Sequence, residues 1–384
     1  MDGENREIMK IDVITLHRAE NYGSVLQTLA LQVKLEELGH DVHVLDYYPE
    51  RFTNKGLLRR LRNKSEKLKN PIFLLAAKIL IYPSYLRKNR VFGSFIDKYI
   101  HLKEPAFQTN EEAARELTFD ADAYCTGSDQ VWNSHWNEGI EKALFLDFVP
   151  KGKLIFSYAS SIGLSELPQE EVEETKRLLH KYEFISVREN SGVKIVKELG
   201  RNDVIQCLDP TLLLTQEEWG RYVDKHAKHA DYILTYNLHH DARIDRYAEE
   251  LGKKHHLPIW NISYNWHDVV RKGHLCWCPP VERFLWLIKN ARYVIADSFH
   301  ATVFSIIFER PFVTITPDIA SSRISSILHT LALDERNLTA FSDTSMIDTP
   351  IDYKEVKHLL ASEQMKSIAY LKKVTSTKDF SHNK

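Results

Sequence analysis

The sequence predicts an α/β protein of two parallel-sheet domains in series, with a ligand cleft between them. Three observations predict it. Strand-like runs alternate with helix-like runs along most of the chain, the pattern of β-α-β units whose short crossovers demand parallel strands. The alternation breaks near residues 215–230, "TQEEWGRYVDKHAKHA", and then resumes as a second set. The length of 384 residues suits two or three domains of about 100–200 residues each. The domains are drawn at 1–220 and 221–384, and ligands are expected at the carboxyl ends of the strands.

The elements follow in order. Residues 10–16, "KIDVITL", read as a buried strand. "NYGSVLQTLALQVKLEELGH" reads as a helix, because Val25, Leu29, Val33 and Leu38 recur at near-helical spacing and Gly39 stops it. "DVHVLDYY" is the next strand. Residues 51–90 then carry twelve basic residues against one acid, Glu66, and are read as part of a basic helical insertion at about 51–105. Inside lies "PIFLLAAKILIYP", apolar but too short to span a bilayer. The preferred reading is a surface helix with a solvated basic face, since basic helices are common on soluble proteins. The alternative is a peripheral patch that meets an anionic membrane or a lipid-linked substrate.

Alternation resumes with "ADAYCTGSDQVWN" (strand, then polar loop), "LIFSYASSIG" (strand), "EEVEETKRLLHKY" (helix), "FISVRENSGVKIVKELG" (strand, then a helix from about Ser191) and "DVIQCLDPTLLL". The second set runs "DYILTYNL", "DARIDRYAEELGKKH", "LPIWNIS", "PPVERFLWLIKNA", "RYVIADS", "FHATVFSIIFE" and "PFVTI", strand and helix in turn. A composition of 43% hydrophobic and 27% charged residues suits a sizeable core, and a net charge of -2 gives no reason to expect nucleic acid. The N-terminus lacks a basic stretch followed by a long apolar one, so no signal peptide and a cytoplasmic location are expected. Four cysteines suit a reduced compartment. "HLCWCPP" does not have a standard zinc spacing, and no metal site is assigned.

Several strand ends carry candidate chemistry. In "VIADSFHATVF" a strand ends in a polar turn that feeds a helix, which favours anions. His300 stands in or beside the first helical turn and can move a proton near neutral pH; the bland reading is a histidine that caps the helix. Arg323, before the helix of "SSRISSILHTL", can fork onto a carboxylate or phosphate. Asn21 and Gly23 lie at the turn after the first strand, where glycine permits close approach, but no dinucleotide fingerprint is present. "GSDQVWN" places Ser128, Asp129 and Gln130 at another strand end, where they suit sugar hydroxyls; Trp132 suits a sugar face or simple packing. Arg188 in "SVREN" stands at a third strand end, and Asp209–Pro210 reads as a structural turn.

The ordered set "NYGSVLQTLALQ", "GSDQVWN", "FLDFVP", "SVRENSG", "LDPTLLLTQEEW", "DSFHATVFSIIFERPF" and "SRISSIL" resembles the polysaccharide pyruvyl transferase family over residues 10 to 335 or so. The resemblance implies two Rossmann-like domains in a GT-B-like arrangement. It implies transfer of pyruvate from phosphoenolpyruvate, a co-substrate, onto a sugar, usually as a ketal with phosphate released, and no resident cofactor. It also implies a functional histidine at His300; Arg188 and Arg323 are the candidates for the donor's anionic groups, with Ser298 assigned to the same donor site. Family members often carry Arg-Leu-His where this chain has Ser298-Phe299-His300, so a donor-holding arginine is replaced by serine. Two alternatives share the fold expectation: a nucleotide-sugar glycosyltransferase, and a catalytically idle binding subunit of a polysaccharide-assembly complex. The acceptor is expected to be a sugar of a surface polysaccharide or of its lipid-linked precursor.

Overall fold

A computed structural model describes residues 8–66, 70–226, 230–315, 321–339, 341 and 343–376. Lys67 and Lys69 of the basic segment, and residues 227–229 of the expected junction, lie outside the described residues.

The first sheet is built from β1 (Lys10–Ile14), β2 (Asp41–Tyr47), β3 (Leu102–Phe107), β4 (Ala123–Thr126) and β5 (Leu154–Ser157). Their order is β3-β2-β1-β4-β5, and every pairing is parallel. β6 (Ser186–Val187) and β7 (Ile205–Gln206) form a short parallel pair, tied to the β5 edge by the bridges Phe156–Phe184 and Ser160–Val187. The second sheet takes β8 (Ile233–Tyr236), β9 (Ile259–Ser263), β10 (His274–Trp277), β11 (Tyr293–Ala296) and β12 (Phe312–Thr314). Its order is β10-β9-β8-β11-β12, again all parallel. β1, β4, β8 and β11 are buried almost throughout, as strands covered by helices on both faces must be.

The chain order in each sheet creates a switch point, between β1 and β4 in the first and between β8 and β11 in the second. Loops leaving those strands at their carboxyl ends open a crevice. After β1, Asn21 accepts a hydrogen bond from the Ser24 amide at 2.8 Å and starts the helix Tyr22–Glu37. After β11, Ser298 precedes the helix Phe299–Ile307, whose nine residues are all buried. The segment drawn as an insertion at 51–105 is helical over Asn54–Lys64 and Pro71–Tyr99, but residues 102–107 return to the first sheet as β3.

One apolar core crosses the junction between the sheets. Tyr22 stacks on Phe284 with ring centroids 4.1 Å apart and donates its hydroxyl to the Pro279 carbonyl at 2.7 Å. The C-terminal helix Tyr353–Thr375 crosses back to the first sheet: Tyr370 donates to the Ser157 carbonyl, Ser367 accepts from the Leu208 amide, and Gln364 donates to the Leu212 carbonyl.

Candidate active site at the interdomain crevice

The two switch points face each other, and the residues they deliver meet around Asp209. This carboxylate, fully buried, caps the short turn Pro210–Leu213. Its Oδ1 accepts from the Thr211 amide at 3.0 Å and the Thr211 hydroxyl at 2.6 Å. Its Oδ2 accepts from Arg188 Nη1 at 2.6 Å and Ser128 Oγ at 3.1 Å, and His300 Nε2 stands 3.7 Å away. Burial alone would raise its pKa, but His300, Arg188 and Thr211 together hold the carboxyl far below the usual range. The turn read from sequence as structural is the anchor of the site.

His300 is more enclosed than an open cleft side chain, at 7% exposure. A Cβ built on Gly23 would overlap the imidazole at Nδ1, Cε1 and Cγ. The glycine at the start of the first-domain helix therefore makes room for the histidine of the second domain. His300 Nε2 is buried and has no hydrogen-bond partner among the described residues.

Arg188 is also buried. Its guanidinium lies over the Phe299 ring at 4.6 Å and beside Glu189, with Nε 3.9 Å from Oε2. Its Nε and Nη2 have no hydrogen-bond partner among the described residues. Burial works against its charge, but Asp209, Asp129 and Glu189 raise its pKa above the ordinary value. Glu189 is held by Ser161 Oγ and by the amides of Ile162 and Gly163, all on Oε1. Arg323 joins the cluster from the helix Ser321–Thr330; burial and the like charge of Arg188 push its pKa down to about 10, against the pull of Asp129, Glu189 and Asp209. Arg188, Asp209, Phe299 and Arg323 share a cavity of about 310 Å³ with Asn190, Gln206, Ser326 and the ion pair of Lys366 with Glu363.

The loop after β4 supports this cluster from below. Asp129 adopts φ +76°, a left-handed conformation that aspartate tolerates, and its Oδ2 accepts from Ser24 Oγ. Gln130 accepts from Asn133 Nδ2 at 2.7 Å, and the Asn21 oxygen is committed to its helix cap. Trp132 is in the core and does not offer a sugar face. It is 4% exposed, stacks on Phe145, and donates its indole N–H to the Leu144 carbonyl. Of its two sequence readings, packing is the one observed. Ser298 is buried at the helix start and makes no side-chain cap.

Sequence reading missed His239 and Asp297. Asp297, buried at the end of β11, accepts from the amides of Leu238 and His239 and contacts His239 Nδ1 at 2.8 Å. This hydrogen bond is the main cause of a raised His239 pKa, opposed by burial and by Arg323. The signal available in sequence was position: "NLHHD" follows β8 as "DSFH" follows β11, and those strands are neighbours. No group of His, Cys, Asp and Glu that could hold a metal is present among the described residues.

Two Rossmann-like domains with polar residues converging between them define the class of the molecule: the fold shared by GT-B glycosyltransferases and sugar-nucleotide epimerases. Solved structures agree on the fold. UDP-GlcNAc 2-epimerase from Neisseria meningitidis, bound to UDP-GlcNAc, aligns at TM-score 0.51 and 11% identity over 97% of this chain and 96% of its own. UDP-GlcNAc 2-epimerase from Methanocaldococcus jannaschii aligns at 0.50 and 13% identity over 92% and 93%. A glycosyltransferase of avilamycin A biosynthesis aligns at 0.50 and 12% over 96% and 99%. No curated protein matches the sequence. The polysaccharide pyruvyl transferase family matches residues 21–319, and the chain belongs to that family.

Proposed function

We propose that the protein moves pyruvate from phosphoenolpyruvate onto two hydroxyls of a sugar, in a surface polysaccharide or its lipid-linked precursor, and closes a ketal. The observation that carries this reading is the convergence of Arg188, with two buried and unpaired N–H positions, and Arg323 on one cavity beside His300 and Asp209. A donor with a carboxylate and a phosphate offers two anionic groups, and two guanidiniums can fork onto them. Ser298, at the helix start beside them, is the donor contact that stands where relatives carry arginine.

The chemistry then needs proton movement. Carbon 3 of the enol phosphate takes a proton, and carbon 2 becomes electrophilic. One sugar hydroxyl adds to carbon 2 and gives up its proton. The second hydroxyl displaces phosphate, which leaves with the bonding pair and accepts the last proton. His300 is the enclosed acid or base, since Asp209 meets any charge gained on its ring. His239, oriented by Asp297, is the more open partner on the hydroxyl side. Gln130 is the residue of its loop assigned to the acceptor side; Ser128, buried on Asp209, and Asp129, fixed by Ser24, hold that loop in place.

The test is incubation of the purified protein with phosphoenolpyruvate and a panel of nitrophenyl and polyprenyl-linked hexosides. The expected result is stoichiometric phosphate release and a product heavier by one pyruvate less one water. Turnover of a nucleotide sugar, with phosphoenolpyruvate inert against the whole panel, would replace this reading with glycosyl transfer.

A further inference from the structure

The long helix Pro71–Tyr99 has an apolar outer face that no described residue covers. Ile72, Leu75, Ile79, Tyr82 and Leu86 are all exposed, with Ile72 at 76% and Ile79 at 68%. Their spacing of three and four residues puts them in one stripe. It runs about 21 Å along the helix at 1.5 Å per residue. The opposite face, with Leu74, Ser84 and Tyr85, is buried against the protein. Exposed apolar residues scattered singly need no explanation, but a continuous stripe marks an interaction surface.

The second domain extends this surface. Trp266 donates its indole N–H to the Leu80 carbonyl, and its turn leaves Val269 and Val270 exposed, Val270 at 88%. The charge around it is mainly positive, with Glu66 the one acid of residues 51–90. Arg90 is exposed one turn beyond Leu86, and Lys55, Arg60 and Arg62 are exposed on the neighbouring helix. Arg59, on the same helix, is paired with Glu50 and Glu138 and adds little to this rim. No helix of the described residues is long and apolar enough to cross a membrane. An apolar stripe rimmed by cations on a helix that cannot span is the pattern of a segment that lies in the interface of a bilayer.

We infer that this face docks on an anionic lipid surface, with the stripe at the level of the acyl boundary and the arginines and lysines on the headgroups. An anionic bilayer is favoured over a second copy of the chain because two copies would bring like-charged rims together. The same helix abuts the entrance to the crevice: Lys88 pairs with Glu20 at 2.9 Å and Phe92 meets Tyr22 edge-on at 5.2 Å, next to Asn21 and Gly23. Docking there keeps the crevice beside the membrane, where the sugar of a lipid-linked acceptor would stand. That last point rests on the pyruvyl-transfer reading; the docking itself does not.

The experiment is co-sedimentation of the full chain with vesicles of phosphatidylcholine alone or mixed with phosphatidylglycerol, over a salt series. Binding is expected only with the anionic lipid, and it should fall as salt rises. Arg60→Gln should weaken it about fivefold, the equivalent of about 1 kcal/mol for one basic residue at the surface. Ile79→Glu with Leu86→Glu should abolish it, while the melting temperature and phosphate release with a water-soluble acceptor stay unchanged, because both side chains are exposed on the outer face of the helix and neither is among the crevice residues. Equal sedimentation of wild type and the double variant would overturn the inference. So would equal binding to neutral vesicles, or a stable dimer that the double variant breaks and that ignores vesicles. Vesicle binding that follows this pattern without activity on phosphoenolpyruvate would leave docking intact and count against the transfer reaction alone.

Discussion

Gly23→Ala is the most telling substitution in the molecule. An alanine inside a helix normally stabilises by about 0.5–1 kcal/mol over glycine. Here the new methyl would overlap the His300 imidazole. Forcing an extra methyl into a packed site costs about 1–3 kcal/mol, so the net loss should be about 1–2 kcal/mol. The ring must swing away, and Nε2 leaves its place 3.7 Å from Asp209. Turnover should fall about 100-fold, the scale of losing a positioned acid or base, or about 2.7 kcal/mol of barrier. His300→Ala should match that loss of turnover and also destabilise, since the ring is buried. The double variant should be more stable than the sum of the two losses predicts, because the added methyl fills space that the ring has left. The compensating coupling should be about 1–3 kcal/mol, and turnover should be no worse than in His300→Ala alone. Urea denaturation of the four proteins reads the stability cycle, and phosphate release reads the other. Additive stabilities within about 0.5 kcal/mol, or full turnover in Gly23→Ala, would refute the packing of His300 on Gly23 as its positioning contact.

Arg323→Ala should leave the protein without donor as stable as wild type or more so, because it removes a second guanidinium beside Arg188. It should also erase the thermal shift given by phosphoenolpyruvate, about 2.7 kcal/mol at a hundredfold excess over Kd; a shift that persists would remove Arg323 from the donor site. Asp209 has a lower pKa folded than unfolded, so its contribution is present above the unfolded value of about 3.9 and is lost as pH falls through the folded one. Wild-type stability in urea should therefore decline from about pH 4 downward, and Asp209→Asn should be less stable at neutral pH with a shallower acid slope; an unchanged slope would contradict the assignment. Donor binding should take up protons near neutral pH, seen as a calorimetric enthalpy that varies with the ionisation enthalpy of the buffer. A buffer-independent enthalpy would count against histidine participation.

Much of the architecture is legible in the sequence because buried parallel strands are written as short apolar runs and their helices as amphipathic ones. β10 escaped because "HLCWC" at a sheet edge mixes polar and apolar residues without period, and β3 because it follows directly on a long helical stretch. The site was legible where a residue stands at a strand end beside an unusual neighbour, as His300 and Arg188 do. Asp209 was not, because Asp-Pro is first of all a turn signal and its partners, Arg188 and His300, arrive from elsewhere in the chain. Trp132 illustrates the opposite error source: an aromatic in a polar loop looks like a platform until Phe145, thirteen positions on in the sequence, is seen to stack on it. Gly23 could be named but not explained, since the imidazole it admits belongs to the other domain.

Charge balance explains why the histidines belong with the arginines. Arg188 and Arg323 lie within electrostatic reach of Asp129, Glu189 and Asp209. Two cations against three carboxylates do not make a site for an anion by count alone. The carboxylates, however, are already engaged: Asp129 by Ser24, Glu189 by Ser161 and two amides, Asp209 by Thr211, Ser128 and one arm of Arg188. Arg188 Nε and Nη2 and one carboxylate oxygen, Glu189 Oε2, stay buried without a hydrogen-bond partner among the described residues, so guanidinium supplies the larger share of what is unpaired. A buried, partly unsatisfied charge cluster is no aid to stability, because apolar residues of the same volume would serve as well. Its form makes sense if a polyanion completes it. On the pyruvyl-transfer reading, a donor with a carboxylate and a phosphate brings more negative charge than two arginines neutralise, and His239, whose pKa Asp297 raises, is a group that can meet part of the remainder. That reading gives the binding proton a second use, since the group that meets the donor's charge is also one that could pass a proton to its carbon.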